Sequence, residues 1–118
     1  MPQAAEWVRV CESSALAEGG DGVRFVTSAG EPAFAVRSAG IVRAYVNRCT
    51  HVGVELDWIA GKFFDESGRS LLCSVHGATY AASDGRCEGG PCRGRGLQPV
   101  RCREHDGWIW IEGRKSDD

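Results

Sequence analysis

The sequence predicts an all-β protein, an antiparallel β sandwich or barrel that carries a smaller loop-rich insert. Three observations lead to this fold class. The chain has 16 glycines among 118 residues, about twice the usual frequency, which favours many turns over a helical bundle. Its apolar residues recur mostly with the period of two that is typical of strands. An Asp-Gly pair at positions 106–107 separates two strand-like runs, which is a strong hairpin signal.

The predicted strands lie in the two flanks of the chain. They are residues 7–11, 23–26, 32–37 and 41–46 in the first flank, and 97–103 and 108–111 in the second. Glycine-rich segments at 19–22 and 38–40 indicate turns between them. The one weak helix candidate is 13–18, where Ser13 could cap a single turn. Both flanks therefore read as antiparallel sheet.

The stretch from about residue 48 to residue 95 has a different composition. It contains four of the six cysteines and two of the three histidines. Within it, two apolar pairs at 63–64 and 71–72 flank a polar turn, which predicts a hairpin that brings two loops together. We expect a single domain over 1–118, with base sheets at about 1–47 and 96–118 and the insert as a subdomain at about 48–95.

Composition excludes several functions. A formal net charge of −2 argues against nucleic-acid binding as the main activity, because that activity needs a basic face. The N-terminus has no signal-peptide pattern, and no apolar run is long enough to span a membrane. We therefore expect a cytoplasmic protein, and in that compartment cysteines more often bind metals or react than form disulfides.

Two short motifs carry the chemistry. Residues 49–53 place Cys49 two positions before His51, and residues 73–77 place Cys73 three positions before His76. In each motif a glycine follows the histidine closely, which permits a sharply folded loop. Each loop thus supplies one thiolate and one imidazole to a common metal centre.

A set of two cysteines and two histidines fits two kinds of site. One is tetrahedral zinc, although zinc motifs usually pair like ligands in sequence. The other is a Rieske [2Fe–2S] cluster, in which two cysteines hold one iron and two histidines hold the other. Loops that each mix one cysteine with one histidine favour the second interpretation.

The paired motifs resemble those of Rieske-type [2Fe–2S] ferredoxins, the small electron carriers related to dioxygenase ferredoxins and to the small subunit of nitrite reductase. This resemblance implies a Rieske-type β base with a cluster-binding subdomain and one [2Fe–2S] cluster. It further implies that Cys49 and Cys73 bind the inner iron, and that His51 and His76 bind the outer iron.

The resemblance also assigns residues around the cluster. The Gly-Gly-Pro segment at 89–91, with Gly90 and Pro91, resembles the family's proline loop, which covers the cluster and limits water there. Val52 and Val75 would add shielding. Tyr80 matches a family tyrosine whose hydroxyl donates to a cysteine sulfur.

Departures from the membrane-bound members of the family are informative. Val54 and Val75 stand where those proteins have a disulfide, and Ala78 stands where they have a serine. Fewer donors stabilise the reduced cluster less, so we expect a potential near the lower end of the Rieske range, about −150 mV. Cys87 and Cys92 lie outside the family pattern, and the sequence leaves open whether they are free thiols, a disulfide, or a sensing or second metal site.

The predicted function is a soluble one-electron carrier between a reductase and an oxygenase or other terminal enzyme. It is expected to have no catalytic residues of its own, no nucleic-acid partner and no membrane span. The alternatives are a tightly bound small subunit of a nitrite reductase-like complex and a redox-sensing or zinc-stabilised interaction module. Trp58, Arg93 and Arg95 are candidates for a docking surface.

Overall fold

The computed structural model describes residues 7–50, 54–75, 77–92 and 94–112. In this part of the chain nine strands form three antiparallel sheets, which confirms the predicted all-β class. The strands are β1 (Trp7–Glu12), β2 (Val23–Val26), β3 (Pro32–Ser38), β4 (Ile41–Val46), β5 (Ser70–Leu72), β6 (Thr79–Ala81), β7 (Cys87–Gly89), β8 (Cys102–His105) and β9 (Trp108–Glu112).

Each sheet has three strands. Sheet A has the order β1-β9-β8, sheet B the order β2-β3-β4 and sheet C the order β5-β6-β7. Sheet A pairs the first strand with the last, so that Trp7 lies opposite Glu112. Sheet C lies wholly inside the stretch predicted as an insert. The division of the chain into a base and a cluster-binding subdomain stays a prediction.

Two apolar clusters hold the sheets together. Ala35, Val42 and Ala44 of sheet B pack with Ile109 of sheet A in one cluster. In the other, the ring of Phe34 on β3 stacks on Phe63, with centroids 3.9 Å apart and planes 11° from parallel. The second cluster also contains sheet C residues, so sheet B is the layer that both other sheets contact.

The Asp-Gly hairpin signal is confirmed. Asp106 and Gly107 connect β8 to β9 with φ of 53° and 81°, the positive values that a two-residue type I′ turn requires. The polar turn after Phe64 also closes a hairpin, because Phe64 bridges Leu71 and the Leu72 N–H donates to the Phe63 carbonyl at 2.8 Å.

Two predicted elements differ from the structure. The strand predicted at 97–103 begins as β8 only at Cys102, because residues 98–100 pair instead with the edge of β4. There the Val100 N–H donates to the Ala44 carbonyl at 2.9 Å. The helix candidate at 13–18 is a 3₁₀ turn, Ser13–Ala15, and has no side-chain cap.

Candidate metal centre

Cys49 and Cys73 stand in tight loops at the ends of two strands. Cys49 follows β4, and its N–H donates to the Val54 carbonyl at 2.6 Å. Cys73 follows β5 directly, and its N–H donates to the Ala78 carbonyl at 2.8 Å. Gly77 closes this second loop with φ of 78°, a left-handed conformation that suits glycine. Both cysteines are fully buried.

The peptide unit of Leu56 connects the two loops. Its N–H donates to Asn47 Oδ1 at 2.8 Å, and its carbonyl accepts the Ser74 N–H at 3.0 Å. Asn47 precedes Cys49 by two residues, and Ser74 follows Cys73 directly. The two cysteine loops are therefore bonded to each other through the backbone of one buried residue.

A buried carboxylate supports this connection. Asp57 Oδ1 accepts the Asn47 Nδ2–H at 3.0 Å, and Asp57 Oδ2 accepts the Gly61 N–H at 2.9 Å. Arg24 on β2 approaches the same Oδ2 through Nε at 3.5 Å and also donates to Glu55 at 2.7 Å. The Asp57 side chain is fully buried, so these contacts take the place of water.

The hydroxyl of Tyr80 lies 3.6 Å from Cys49 Sγ and 3.0 Å from Thr50 Oγ1, and it accepts the Thr50 N–H at 3.2 Å. This placement agrees with the donor role that the resemblance implies. If Cys49 is a thiolate, its sulfur can only accept, so Tyr80 donates to the sulfur and Thr50 Oγ1 donates to Tyr80. Burial raises the pKa of Tyr80, so the hydroxyl keeps its proton at neutral pH.

A covalently closed loop lies against the second cysteine loop. Cys87 and Cys92 form a disulfide with an S–S distance of 2.07 Å, which is one of the alternatives that the sequence left open. Between them, the backbone of Gly90 touches the second loop so closely that a Cβ there would stand 2.7 Å from the Gly77 carbonyl oxygen. Pro91 itself is exposed.

Several predicted site residues lie outside the described residues. They are His51, Val52, His76 and Arg93. Within the described residues no group of three potential metal ligands occurs. The centre is therefore described through Cys49 and Cys73, and the assignment of all four ligands stays a prediction. Val75, predicted as shielding, has 44% of its surface exposed.

Sequence reasoning missed the polar network beneath the loops. Asn47 is a polar residue at the end of an apolar strand and shortly before the first motif, a signal that could have pointed to it. Nothing distinguishes Asp57 among the 16 acidic residues. Arg95, predicted at a docking surface, donates from Nη1 to the Thr50 carbonyl at 2.9 Å and thus lies beside the first loop.

The described residues fit a metal cluster held by thiolates. Two cysteines from separate loops are fully buried, and a phenol is placed to donate to one of the sulfurs. A buried thiolate needs a compensating positive charge or hydrogen bonds, and a bound metal ion would supply that charge.

Comparisons with known proteins agree with this chemistry. The sequence model of the Rieske [2Fe-2S] domain matches residues 6–107. A search of the curated proteins gave no match. Among the described residues, no helix has the length and apolar character needed to cross a membrane.

Solved structures share the fold. A chain from the complex of reduced oxygenase and oxidized ferredoxin in carbazole 1,9a-dioxygenase superposes with a TM-score of 0.76 at 22% identity, over 98% of this chain and 100% of that one. The Sphingomonas yanoikuyae B1 ferredoxin gives 0.75 at 20% identity, over 92% and 100%. The terminal oxygenase of carbazole 1,9a-dioxygenase from Novosphingobium sp. KA1 gives 0.75 at 27% identity, but only 32% of its length is covered, against 98% of this chain.

Tyr80→Phe is expected to lower the reduction potential by tens of millivolts, about the value of one hydrogen bond. The hydroxyl stabilises the added negative charge at Cys49 Sγ, and its loss disfavours reduction. Because the pKa of Tyr80 is raised, the difference from the wild type should be the same at pH 7 and pH 9. Redox titration followed by visible absorbance measures it.

Tyr45→Phe is the matched control. Tyr45 is equally buried, but its hydroxyl donates to the Ala82 carbonyl at 2.7 Å, and burial raises its pKa to about 12. The Tyr45→Phe variant should have the same reduction potential as the wild type. An equal shift in both variants would show that Tyr80 has no specific role at the sulfur.

Gly90→Ala should loosen the closed loop from the second cysteine loop. A methyl group there meets backbone atoms at 2.7 and 2.9 Å, and such overpacking costs about 1–3 kcal/mol. Gly94→Ala is the control, because Gly94 has φ of 76° but nothing within 4 Å of its Cβ position. Both variants carry the same backbone strain, because both glycines have a positive φ. Gly90→Ala should therefore unfold at a lower urea concentration than Gly94→Ala. Equal losses would contradict the close contact.

Proposed function

Because the chain belongs to the Rieske [2Fe-2S] domain family, we propose that it is a one-electron carrier between a reductase and an oxygenase or another terminal enzyme. One observation carries this proposal. Two fully buried cysteines lie on loops that are bonded to each other through Leu56, which supports a single redox centre shielded from water.

In this proposal Cys49 and Cys73 bind one iron of a [2Fe–2S] cluster, and His51 and His76 bind the other. When bound, the cluster supplies a centre that gains and loses one electron. The protein contributes a fixed separation of the two loops, exclusion of water from the cysteine sulfurs, and a hydrogen bond from Tyr80. The chain itself supplies no catalytic group, and chemistry on a substrate belongs to the partner enzyme.

The surroundings of the sulfurs support a potential near the lower end of the Rieske range. Ala78 has no hydroxyl to donate to a sulfur, whereas the Tyr80 hydroxyl lies 3.6 Å from Cys49 Sγ. Each hydrogen bond to a ligand sulfur raises the potential. An alanine in place of a hydroxyl-bearing side chain at position 78 therefore favours a potential of about −150 mV, the lower end of the Rieske range.

An apolar patch beside the loops supports docking to a protein partner. It consists of Val54, Trp58, Ile59 and Val75, four large side chains that are 37–78% exposed. The Trp58 and Ser74 N–H groups both donate to the Leu56 carbonyl. The patch therefore contains residues that adjoin both cysteine loops. Exposed aromatic anchors of this kind often dominate binding energy at protein interfaces. We propose that redox partners bind here.

Arg95 adds a positive charge beside the first cysteine loop, since its guanidinium donates to the Thr50 carbonyl. Other arginines late in the chain are engaged elsewhere. Arg101 Nη1 lies 3.6 Å from Glu112 Oε2 of β9, and the Arg103 guanidinium of β8 stacks over the Trp7 ring at 4.4 Å. We therefore assign charge steering towards an acidic partner to Arg95, whose contact with Thr50 is beside the first cysteine loop.

The cofactor test is metal analysis with spectroscopy. Freshly purified protein should contain iron and acid-labile sulfide, about two of each per chain, and show a Rieske-type EPR signal on reduction. His51→Cys or His76→Cys should lower the potential, because a third thiolate ligand on the cluster disfavours the added electron. Stoichiometric zinc without labile sulfide would overturn the proposal in favour of a zinc-stabilised module.

The docking test compares exposed apolar side chains inside and outside the patch. Trp58→Ala and Ile59→Ala should slow reduction by a reductase that reduces the wild type, about tenfold for Trp58. Ile41→Ala, at the start of β4 and 50% exposed, should leave the rate unchanged. The potential of all three should stay constant.

A salt series separates apolar docking from charge steering. The rate should fall as salt rises if Arg95 steers the partner, because exposed charges are screened beyond about 10 Å at 0.1 M salt. A flat profile would remove Arg95 from the proposal and leave the apolar patch. Normal rates for Trp58→Ala and Ile59→Ala would show that partners bind another surface. Co-purification of a stoichiometric partner would favour the tightly bound subunit instead.

A further inference from the structure

We infer that Asp57 is a positioning residue that sets the orientation of the Asn47 side-chain amide and, through it, the separation of the two cysteine loops. The inference rests on the proposed function for two of its readouts, cluster retention and the EPR line shape, and is independent of it for urea unfolding. It assigns a role to a carboxylate that the ligand motifs do not include. The hydrogen bonds of Asn47, Leu56 and Asp57 described above carry it.

The amide of Asn47 has a donor end and an acceptor end, and its two neighbours require opposite ends. The Leu56 N–H can only donate, so it needs Asn47 Oδ1, which lies at 2.8 Å. The Asp57 carboxylate can only accept, so it needs Asn47 Nδ2, which lies at 3.0 Å. A rotated amide would place two donors together at Leu56 and two acceptors together at Asp57. The carboxylate therefore determines which way the amide points.

The carboxylate is held from its other side. Asp57 Oδ2 accepts the Gly61 N–H at 2.9 Å and lies 3.5 Å from Arg24 Nε. Because the side chain is fully buried, its donors would lose their acceptor if the carboxylate were replaced. An unsatisfied buried polar group is costly, so the network favours one arrangement strongly.

The arrangement reaches both cysteines through short connections. Asn47 lies two residues before Cys49, and it holds the N–H of Leu56. The carbonyl of Leu56 holds the Ser74 N–H, next to Cys73. A turn of the Asn47 amide would release Leu56 from the first loop, and the distance between the two cysteines would then vary.

The first variant tests the acceptor character of position 57. Asp57→Asn keeps the shape of the side chain but replaces one acceptor with a donor. If the new amide oxygen accepts from Gly61, the new NH₂ group faces the Asn47 Nδ2–H. If the oxygen accepts from Asn47 instead, the NH₂ group faces the Gly61 N–H. We expect cluster loss in the presence of a chelator to be about tenfold faster and the EPR line shape of the reduced protein to change.

The second variant exchanges the two residues, as Asn47→Asp/Asp57→Asn. The carboxylate introduced at position 47 accepts from the Leu56 N–H with one oxygen and from the new amide at position 57 with the other. The oxygen of that amide accepts from Gly61. Each of these donors again meets an acceptor, and the net charge equals that of the wild type. We expect this double variant to recover most of the cluster retention and the EPR line shape that the single variant loses.

Glu55→Gln is the matched control for charge. Glu55 also bonds to Arg24, at 2.7 Å, but it is exposed and has no contact with Asn47 in the described network. Glu55→Gln removes one negative charge, as Asp57→Asn does. The Glu55→Gln variant should nevertheless retain the cluster as the wild type does. Equal behaviour of Glu55→Gln and Asp57→Asn would overturn the inference, because charge alone would then explain the effect.

Urea unfolding of the same proteins supplies a readout that does not need the cluster. The order of midpoints should be wild type, then the double variant, then Asp57→Asn. A double variant no more stable and no better at holding the cluster than Asp57→Asn overturns the inference. If the wild type contains no iron or sulfide, the proposed function fails, and the unfolding series alone decides the role of Asp57.

Discussion

The backbone hydrogen bonds of Leu56 are the constraint on which the metal centre depends. Two loops that follow different strands must present their cysteines at a common point, and loops alone do not maintain such a separation. The backbone of Leu56 satisfies both loops at once, with Asn47 on one side and Ser74 on the other. Almost any residue could provide that backbone, so the specificity of the connection lies in Asn47 and in the carboxylate beneath it.

The three sheets contribute unequally to the support of the two Leu56 hydrogen bonds. Arg24 of sheet B contacts the Asp57 carboxylate. The Phe34–Phe63 stack packs sheet B against the segment predicted as an insert. Sheet C supplies Tyr80 from β6 and ends in the disulfide-closed loop that covers Gly77. Sheet A contacts neither cysteine loop through the bonds described. Its Arg–Trp stacks, such as Arg9 over Trp108 at 4.3 Å, stabilise another part of the molecule.

Local signals in the sequence were sufficient for most strands and the Asp-Gly hairpin, because a period of two and a turn dipeptide act over a few residues. The tyrosine at the sulfur followed from the family resemblance. Other features depend on which segments meet. The pattern at 97–103 is the same whether the chain pairs with β4 or β9, and the structure divides it between them. A sequence separation of 5 between Cys87 and Cys92 suits thiols or a disulfide, depending on whether the loop doubles back. The contact between Asn47 and Asp57 cannot be predicted from either residue's neighbours in the sequence, because it depends on which segments meet.

The pairing of β1 with β9 has a consequence for the order of folding. This ladder joins the two ends of the described chain, so its formation carries the largest loop-closure entropy in the described fold. By contrast, β3 with β4 and β5 with β6 are short-range hairpins, and the bonds from Asn47 to Leu56 and from Leu56 to Ser74 also close much shorter loops. During synthesis the cysteine loops can therefore assemble while β8 and β9 are still absent, and closure of sheet A comes last.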